Sequence, residues 1–544
     1  TTQVQRSCRS VVDFLYQIIM FLAIIVCVIV YGIYVKFVKP SFYWQNRQIF
    51  HVKPFSRFIK VFIRGKSFFE STIDAYNLYP DRRYYGSYQF LKPGLFVRDL
   101  DLIKRIMVKD FEHFPDHMSV INEKADSVVG LNLFSLKGEK WREMRSTLSP
   151  AFTGSKMRSM YTLMQDTAEN FAEYLFKKDE EMLELEMKDI FSRFSNDVIA
   201  NCAFGVKCDS LKDENNQFFT MGTTLTTPTV LVIVRTIFVN LFPKIVDILN
   251  ISAFPKYIVN FFRELVKDTM AFREKEHIVR PDMIHLLMEA RKGRLKHDTE
   301  KHHENDTGFA TAQDSSQGKS AGKIEITDDV ATAQALVFFF AGFDTMSSML
   351  MLLSYELALN PDVQAKLHEE IDDTLARCDG RVSYEELLKM KYLDQVISET
   401  LRRYPPGYMI TRLCTRDYRV EAKLENETDF VLSKGCIVSI PVSGIHMDPQ
   451  YFPEPYKFNP ERFSDENKRN IVSGSYMPFG SGPRNCIGSR FALLEGKALA
   501  VSLLSRFEIV PTKKTMIPIK FAKTFNIAVK DGLWLGFKRR SNKM

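Results

Sequence analysis

One of the eight cysteines, Cys486, lies in a glycine-rich loop that also carries an arginine. The loop reads PFGSGPRNCIG and runs from Pro478 to Gly488. Glycines adopt positive φ angles and let the backbone pass close to a bulky planar group. The residues after Gly488 are predicted to form a helix, and the positive end of a helix lowers the pKa of a nearby thiol. A lone cysteine is usually a small buried apolar residue, but this setting favours a thiolate beside a bulky partner.

Two pairs of residues at helical spacing could act together. Glu399 and Arg402 lie at positions i and i+3 of an apparent helix, so their side chains share a face. Trp141 and Arg145 lie at positions i and i+4 of another. Taken alone, the first pair is most often a solvated ion pair, and the second is an amphipathic helix with one tryptophan.

The longest predicted helix contains an acid beside an alcohol. Thr327 is predicted to cap the helix, which continues to Leu359 before an Asn-Pro pair. Asp344 and Thr345 lie inside this apolar run, where a polar pair is unusual for packing. A threonine there can donate back to the backbone and loosen the helical turn.

The loop Phe479-x-x-Gly482-x-Arg484-x-Cys486-x-Gly488 resembles the haem-binding signature of the cytochrome P450 family at every fixed position. In that family the cysteine is the axial thiolate ligand of haem iron. The thiolate pushes electron density onto the iron and favours O–O cleavage. The resemblance therefore implies haem b as cofactor, Cys486 as metal ligand, and Phe479 and Arg484 beside the haem.

The resemblance also assigns haem contacts outside the loop. Trp141 and Arg145 are expected to hold a haem propionate, and Arg412 lies at the family position for another propionate contact. Together with Arg484 there are three arginines, which is enough to compensate two carboxylates.

Two more groups follow from the family pattern. Arg462, in the sequence PERF, is expected to join Glu399 and Arg402 in a buried charge network that supports the haem loop. Asp344 and Thr345 are expected to be catalytic, because the family uses this pair to relay protons during oxygen activation. The next residue is Met346 where the family usually has a hydroxyl, and the following residue, a serine, is a candidate to replace it.

Substrate contacts are carried over from the family's variable segments. We expect them at Val120, at Phe338 and Ala341 on the central helix, and at Met409 and Ile410. An apolar, phenylalanine-rich pocket suits large hydrophobic molecules such as plant toxins, insecticides or lipids.

The resemblance covers nearly the whole chain and implies a mainly α cytochrome P450 fold with a long central helix, small β-sheets and an N-terminal transmembrane helix. Residues 1–35 are the predicted anchor, 36–60 a linker and 61–544 the haem-binding monooxygenase domain, with an exposed loop over 291–323. DVIANCAFG from Asp197 and KDF from Lys109 look like the insect microsomal branch, family nine in particular.

The anchor prediction also stands on the residues. Phe14 to Val35 are 22 residues without a charge, and at about 1.5 Å per residue they span a bilayer core. More cations follow than precede them, so the predicted topology is single-pass with a cytosolic catalytic domain. The resemblance to the microsomal branch implies that the membrane is that of the endoplasmic reticulum.

Composition sets outer limits on the function. Apolar residues are 45% and charged residues 26% of the 544, which excludes wholesale disorder. A mean hydropathy of −0.16 excludes a polytopic membrane protein. The net charge of +8 fits an anionic membrane surface or an acidic protein partner, and no nucleic acid is expected.

The implied reaction inserts one atom of O₂ into a lipophilic substrate. Two electrons are expected from NADPH through a flavoprotein reductase, with a cytochrome b-type protein as a further candidate donor. Lys137, Lys140 and Arg142 are candidates for its docking surface, or form an ordinary solvated helix face. A reductase-independent haem-thiolate isomerase or dehydratase and a non-enzymatic membrane haem protein stay open as alternatives.

Overall fold

The computed structural model describes residues 20–53 (except 22, 25, 28, 29 and 33), 65–89, 92–118, 128–226, 235, 238, 255–294, 307–312 and 324–540. The α-helices are α1 (Phe68–Asn77), α2 (Leu100–Lys104), α3 (Gly138–Leu148), α4 (Gly154–Phe176), α5 (Met187–Ile199), α6 (Gln217–Thr226), α7 (Lys256–Lys275), α8 (Met283–Arg291), α9 (Asp328–Leu359), α10 (Pro361–Arg377), α11 (Tyr384–Lys389), α12 (Lys391–Arg403), α13 (Val442–His446) and α14 (Ser489–Leu504). The strands are β1 (Tyr84–Gln89), β2 (Lys92–Val97), β3 (Met182–Glu186), β4 (Ile410–Leu413), β5 (Tyr418–Val420), β6 (Phe430–Leu432), β7 (Ile437–Ile440), β8 (Phe507–Pro511) and β9 (Trp534–Arg539). The fold is mainly helical with small sheets, as predicted.

The central helix α9 has the predicted limits. The side chain of Thr327 accepts a hydrogen bond from the Val330 amide, and one residue, Asn360, separates the end of the helix from the start of α10 at Pro361. Most of its side chains are buried on all sides, against α5, α7 and α14 among others. A helix that is apolar all round belongs inside a core. It therefore forms the axis on which the Asp344–Thr345 pair is placed.

The sheets are small and lie at the edges of the helical core. β1, β2, β7 and β4 form one sheet in that order, with β2 and β7 parallel and the other pairs antiparallel. In this sheet Arg412 is paired with Val438. β3, β9 and β8 form a second sheet, and β5 pairs with β6. The first sheet fixes the backbone of Arg412, so it positions one of the predicted haem contacts.

The predicted linker over residues 36–60 does not run free of the domain. Trp44 is fully buried in the core beneath the first sheet, and its indole Nε1 donates to the Ser87 carbonyl over 3.0 Å. The Tyr88 hydroxyl donates to the Ser41 carbonyl over 2.6 Å. This part of the predicted linker is therefore attached to β1 by a buried tryptophan and by side-chain-to-backbone hydrogen bonds.

Half of the predicted anchor, Phe14–Val35, falls outside the described residues. Of its described positions, Phe21 and Tyr31 have exposed side chains. Within the part of the chain that the structure describes, the helix long and apolar enough to cross a membrane is α9. That helix is mostly buried inside the protein and serves as a core element.

The prediction of an exposed loop over residues 291–323 is wrong for residues 307–312. Residues 307–312 are buried or half-buried, whereas 295–306 and 313–323 lie outside the described residues. The physical reason is that the backbone of 307–312 completes the hydrogen bonding of a buried ion pair between α12 and α14, as shown below.

Candidate active site

The cysteine loop is a closed turn held by its own backbone. The Cys486 amide donates to the Phe479 carbonyl over 2.9 Å, and the Asn485 amide donates to the Gly482 carbonyl over 3.0 Å. Gly482 has a φ of +71°, and a Cβ atom added there would collide with the carbonyl oxygen of Met107. Only glycine satisfies both conditions, so the local sequence dictates this turn.

The thiol of Cys486 faces an interior space. Its side chain has open surface, yet protein surrounds it closely enough for burial to raise the pKa of the thiol. A backbone hydrogen bond from Gly488 and the charge of Arg145 act in the opposite direction. The protein alone therefore favours the neutral thiol, and a bound cation such as a metal ion would favour the thiolate.

Two buried guanidinium groups lie beside the loop. Arg412 is 1% exposed, and among the described residues its Nε has no hydrogen-bond partner. Burial lowers the pKa of Arg412 to about 10. Arg484 is also buried, and burial followed by the charge of Arg412 lowers its pKa well below the usual range. Both groups are therefore short of negative charge.

The neighbours of these arginines do not supply the missing negative charge. Arg484 donates to the carbonyls of Pro115 and Leu136 over 2.7 and 2.8 Å, and its one nearby carboxylate is Asp116 at 3.5 Å among the described residues. His117 lies 3.3 Å from Arg412, and burial followed by the arginine charges lowers its pKa well below normal. An excess of buried positive charge requires an anion, and the two carboxylates of a haem fit it.

Trp141 and Arg145, both on α3, lie beside the cysteine loop but make different contacts with it. Trp141 is buried, and the Arg484 guanidinium stacks on its ring at 4.0 Å. Arg145 donates to the carbonyl and to the side-chain oxygen of Asn485 over 2.9 and 2.7 Å. Arg145 therefore fixes the cysteine loop to α3, in addition to lying near the buried positive charge.

The acid–alcohol pair faces two directions. Thr345 and Ala341 have exposed side chains on the mostly buried α9, and the Thr345 hydroxyl donates to the Ala341 carbonyl over 2.5 Å. The bond back to the backbone is the predicted one, but the helix stays α-helical throughout. Asp344, by contrast, is bound by Lys188 of α5, whose Nζ lies 2.9 Å from its Oδ1.

Lys188 also holds the serine that was predicted to replace the missing hydroxyl. Its Nζ donates to the hydroxyls of Ser347 and Ser348, each over 2.8 Å. Burial lowers the pKa of Lys188, and the charge of Asp344 acts against this shift. Ser347 is thus fully buried on the lysine side of α9, away from the exposed Thr345.

The predicted charge network is assembled at the end of α12. Glu399 and Arg402 are fully buried and make a two-pronged ion pair over 2.7 and 2.9 Å. Arg462 Nε lies 3.4 Å from Glu399 Oε1. Arg402 also donates to the carbonyls of His446 and Pro455, each over 2.8 Å. The network ties α12 to the chain that leads into the cysteine loop.

Four of the five predicted pocket residues are described, and two of them are near the cysteine loop. A Cβ atom added at Gly480 would lie 3.4 Å from Ile410. The ring of Phe338 contacts that of Phe152 at 5.5 Å, and Phe152 in turn lies against Gly488. Ala341 is exposed on α9 and Met409 is half-buried. Val120 lies outside the described residues.

Sequence reasoning missed two residues at this site, Lys188 and His117. Both contact predicted residues, Asp344 and Arg412, but across 156 and 295 positions of the chain. No local pattern marks either of them. The lysine is one charge on an amphipathic helix, and the histidine lies in a loop without a motif.

The predicted basic surface is partly engaged in ion pairs. Lys137 and Lys140 are exposed at the start of α3. Arg142 is half-buried and pairs with Glu112 over 2.7 Å and with Glu139 over 3.6 Å. Of the three predicted cations, the two lysines are therefore the exposed ones.

Comparison with known proteins gives one consistent result. The family model described as cytochrome P450 matches residues 63–533. Cytochrome P450 9e2 of Blattella germanica is 46% identical over 499 residues, which is 88% of this chain and 90% of that protein. Probable cytochrome P450 9f2 of Drosophila melanogaster is 39% identical over 92% of this chain and 95% of its own length. Cytochrome P450 6k1 of Blattella germanica is 34% identical over 94% and 96%.

Proposed function

The chain belongs to the cytochrome P450 family and is a haem monooxygenase, and on that premise we propose that Cys486 ligates the haem and that the substrates are lipophilic xenobiotics. The observation that carries the site assignment is the buried positive charge of Arg412 and Arg484 next to the cysteine loop. Two haem carboxylates neutralise that charge, and the closed turn presents the Cys486 sulfur.

Haem bound to a thiolate supplies the oxygen-activating chemistry. The chain's own residues bind, orient and move protons. Arg412 and Arg484 hold the carboxylates by charge-assisted hydrogen bonds. Lys188 holds Asp344 at Oδ1, and together with Ser347 it forms a polar path into α9. The Thr345 hydroxyl donates to the Ala341 carbonyl at rest and delivers its proton only after rotating away from that oxygen.

Phe338 and Ile410 keep the reacting space apolar. An apolar surround excludes bulk water and selects large hydrophobic substrates. This favours oxidation of plant toxins or insecticides over oxidation of small polar molecules.

Electrons come from NADPH through a flavoprotein reductase in this proposal. Lys137 and Lys140 are exposed cations at the start of α3, and Arg145 on the same helix contacts the cysteine loop. An acidic reductase surface would meet them at a short distance from the haem ligand. The uncharged run Phe14–Val35 anchors the protein in the endoplasmic reticulum membrane in this proposal.

The first test is a carbon monoxide difference spectrum of the reduced full-length protein in membranes. Wild type is expected to give the strongly red-shifted band of a thiolate ligand, and Cys486→Ala is expected to lose it. Cys378→Ala is the matched control, since Cys378 is half-buried at the end of α10. A wild-type band at the shorter wavelength of neutral-thiol or histidine ligation would contradict the assignment of Cys486.

The second test is turnover with NADPH and added reductase on a panel of lipophilic xenobiotics. Oxygenated product that requires both additions supports the proposal. Product formed from an organic peroxide at the same rate without them would point instead to an isomerase or dehydratase.

A further inference from the structure

A six-residue segment in the middle of a polar stretch is packed into the protein. Residues 307–312, with the sequence TGFATA, are called the docked segment below. Thr307, Ala310 and Ala312 are buried, and the other three are half-buried. The hydroxyls of Thr307 and Thr311 lie 2.7 Å apart, and the Thr311 amide donates to the Gly308 carbonyl over 3.1 Å. The segment is therefore a compact turn with its own hydrogen bonds.

The docked segment completes a buried ion pair. Lys497 of α14 is 1% exposed and lies 2.9 Å from Asp394 of α12. Its Nζ also donates to the Thr307 carbonyl over 3.0 Å. The Phe309 amide donates to Asp394 Oδ2 over 2.9 Å. A buried lysine requires several acceptors, and one of them comes from this segment.

Gly308 is required for this fit. Its φ is +137°, and a Cβ atom added there would collide with the Asp394 carboxylate. A side chain at this position would be strained and would also push the segment off the ion pair. The sequence at 308 is therefore fitted to Asp394.

The docked segment touches both ends of the cysteine loop. The Ala312 amide donates over 3.2 Å to the hydroxyl of Ser489, the residue directly after Gly488. The Phe309 ring contacts Tyr476, two residues before Pro478, at 5.5 Å, and Phe463 at 5.2 Å. The chain enters the loop past one of these contacts and leaves it past the other.

We propose that the docked segment is a positioning element for the haem-thiolate loop, in which Phe309 and Ala312 hold the two loop ends at a fixed separation. The inference rests on the proposed role of Cys486. With the segment in place, the loop cannot open, and the sulfur stays on the iron. Without it, Tyr476 and Ser489 lose their shared support, and the loop moves away from the metal more often.

The experiment compares Phe309→Ala with wild type as full-length protein in lipid nanodiscs. The control is Phe272→Ala, because Phe272 is an exposed phenylalanine on α7. In dilute urea, the thiolate band of the carbon monoxide complex is followed as it converts to the shorter-wavelength band. Phe309→Ala is expected to convert about tenfold faster, which corresponds to about 1.4 kcal/mol of lost support. The control is expected to convert at the wild-type rate.

Hydrogen exchange provides a readout that does not depend on activity. Peptides covering residues 477–493 are expected to exchange about tenfold faster in Phe309→Ala, while peptides of α9 keep the wild-type rate. Asp394→Asn is the milder variant, and it is expected to change both readouts in the same direction by a smaller factor.

Wild-type conversion and exchange rates in Phe309→Ala would overturn the proposal. Faster exchange spread evenly over α9 and the loop would also overturn it, since that is the result of general destabilisation. If wild type lacks the thiolate band, the proposed role of Cys486 fails, and the exchange pattern alone then decides whether the segment supports the loop.

Discussion

Replacing Lys188 by methionine tests the polar path at Asp344. The substitution keeps the aliphatic length of the side chain and removes the ammonium group, which contacts Asp344, Ser347 and Ser348. The two serines keep other acceptors, because Ser347 donates to the Phe343 carbonyl and Ser348 to the Ile527 carbonyl. Only Asp344 loses its cation.

The expected loss of stability follows from the loss of this one ion pair. Breaking a fully buried ion pair costs about 3–5 kcal/mol. Here the two side chains are 25% and 19% exposed, so water partly solvates the remaining carboxylate. Removing the ammonium group also removes the cost of burying its charge, the same burial that lowers the pKa of Lys188. The net loss is therefore about 2 kcal/mol in the free energy of unfolding, measured by urea denaturation.

The catalytic effect is measured separately, as product formed per NADPH consumed. Lys188→Met is expected to lower this ratio several-fold, because Asp344 is no longer held at the entrance of the path. The control is Lys177→Met, which removes an exposed ion pair with Glu173 and is expected to leave both the free energy of unfolding and the product ratio at their wild-type values. A stability loss with an unchanged product ratio would refute the role of Lys188 in proton transfer and leave it a structural residue.

Three further outcomes are expected. Thr345→Ala should keep NADPH consumption but divert it to hydrogen peroxide, whereas Thr345→Ser keeps the wild-type product ratio. Arg412→Leu should leave the apoprotein as stable as wild type, because it removes a buried cation whose Nε has no hydrogen-bond partner among the described residues. The same variant should release haem about tenfold faster than wild type in a transfer assay. Burial raises the pKa of Glu495 to about 8, so between its usual pKa and this value the folded state keeps a proton that the unfolded state has released. The free energy of unfolding of wild type should therefore fall by about 3 kcal/mol relative to that of Glu495→Gln between about pH 5.5 and pH 8. The same pH dependence in both proteins would show that Glu495 is not protonated in the folded state.

The fold could be predicted where the signals are local. The limits of α9 follow from a capping threonine, an unbroken apolar run and an Asn-Pro pair, all within the helix or adjacent to it. The cysteine loop is local in part, since its own turn needs Gly482 at a φ of +71°, whereas the close approach of the Met107 backbone comes from a distant part of the chain. Short segments whose conformation is fixed by neighbours in sequence can be recognised without knowing the tertiary structure.

The contacts that sequence reasoning missed are those made between distant parts of the chain. Lys188 binds Asp344 across 156 positions, and Phe309 binds Asp394 across 85. Composition was misleading for residues 307–312, because a polar stretch predicts exposure, while the Thr307 carbonyl and the Phe309 amide bind the ion pair through the backbone and not through side chains. Every residue has a backbone carbonyl and nearly every residue a backbone amide, so no pattern of residue types predicts contacts made by these groups. The exception is Gly308, whose missing side chain is the only mark that the close approach leaves in the sequence.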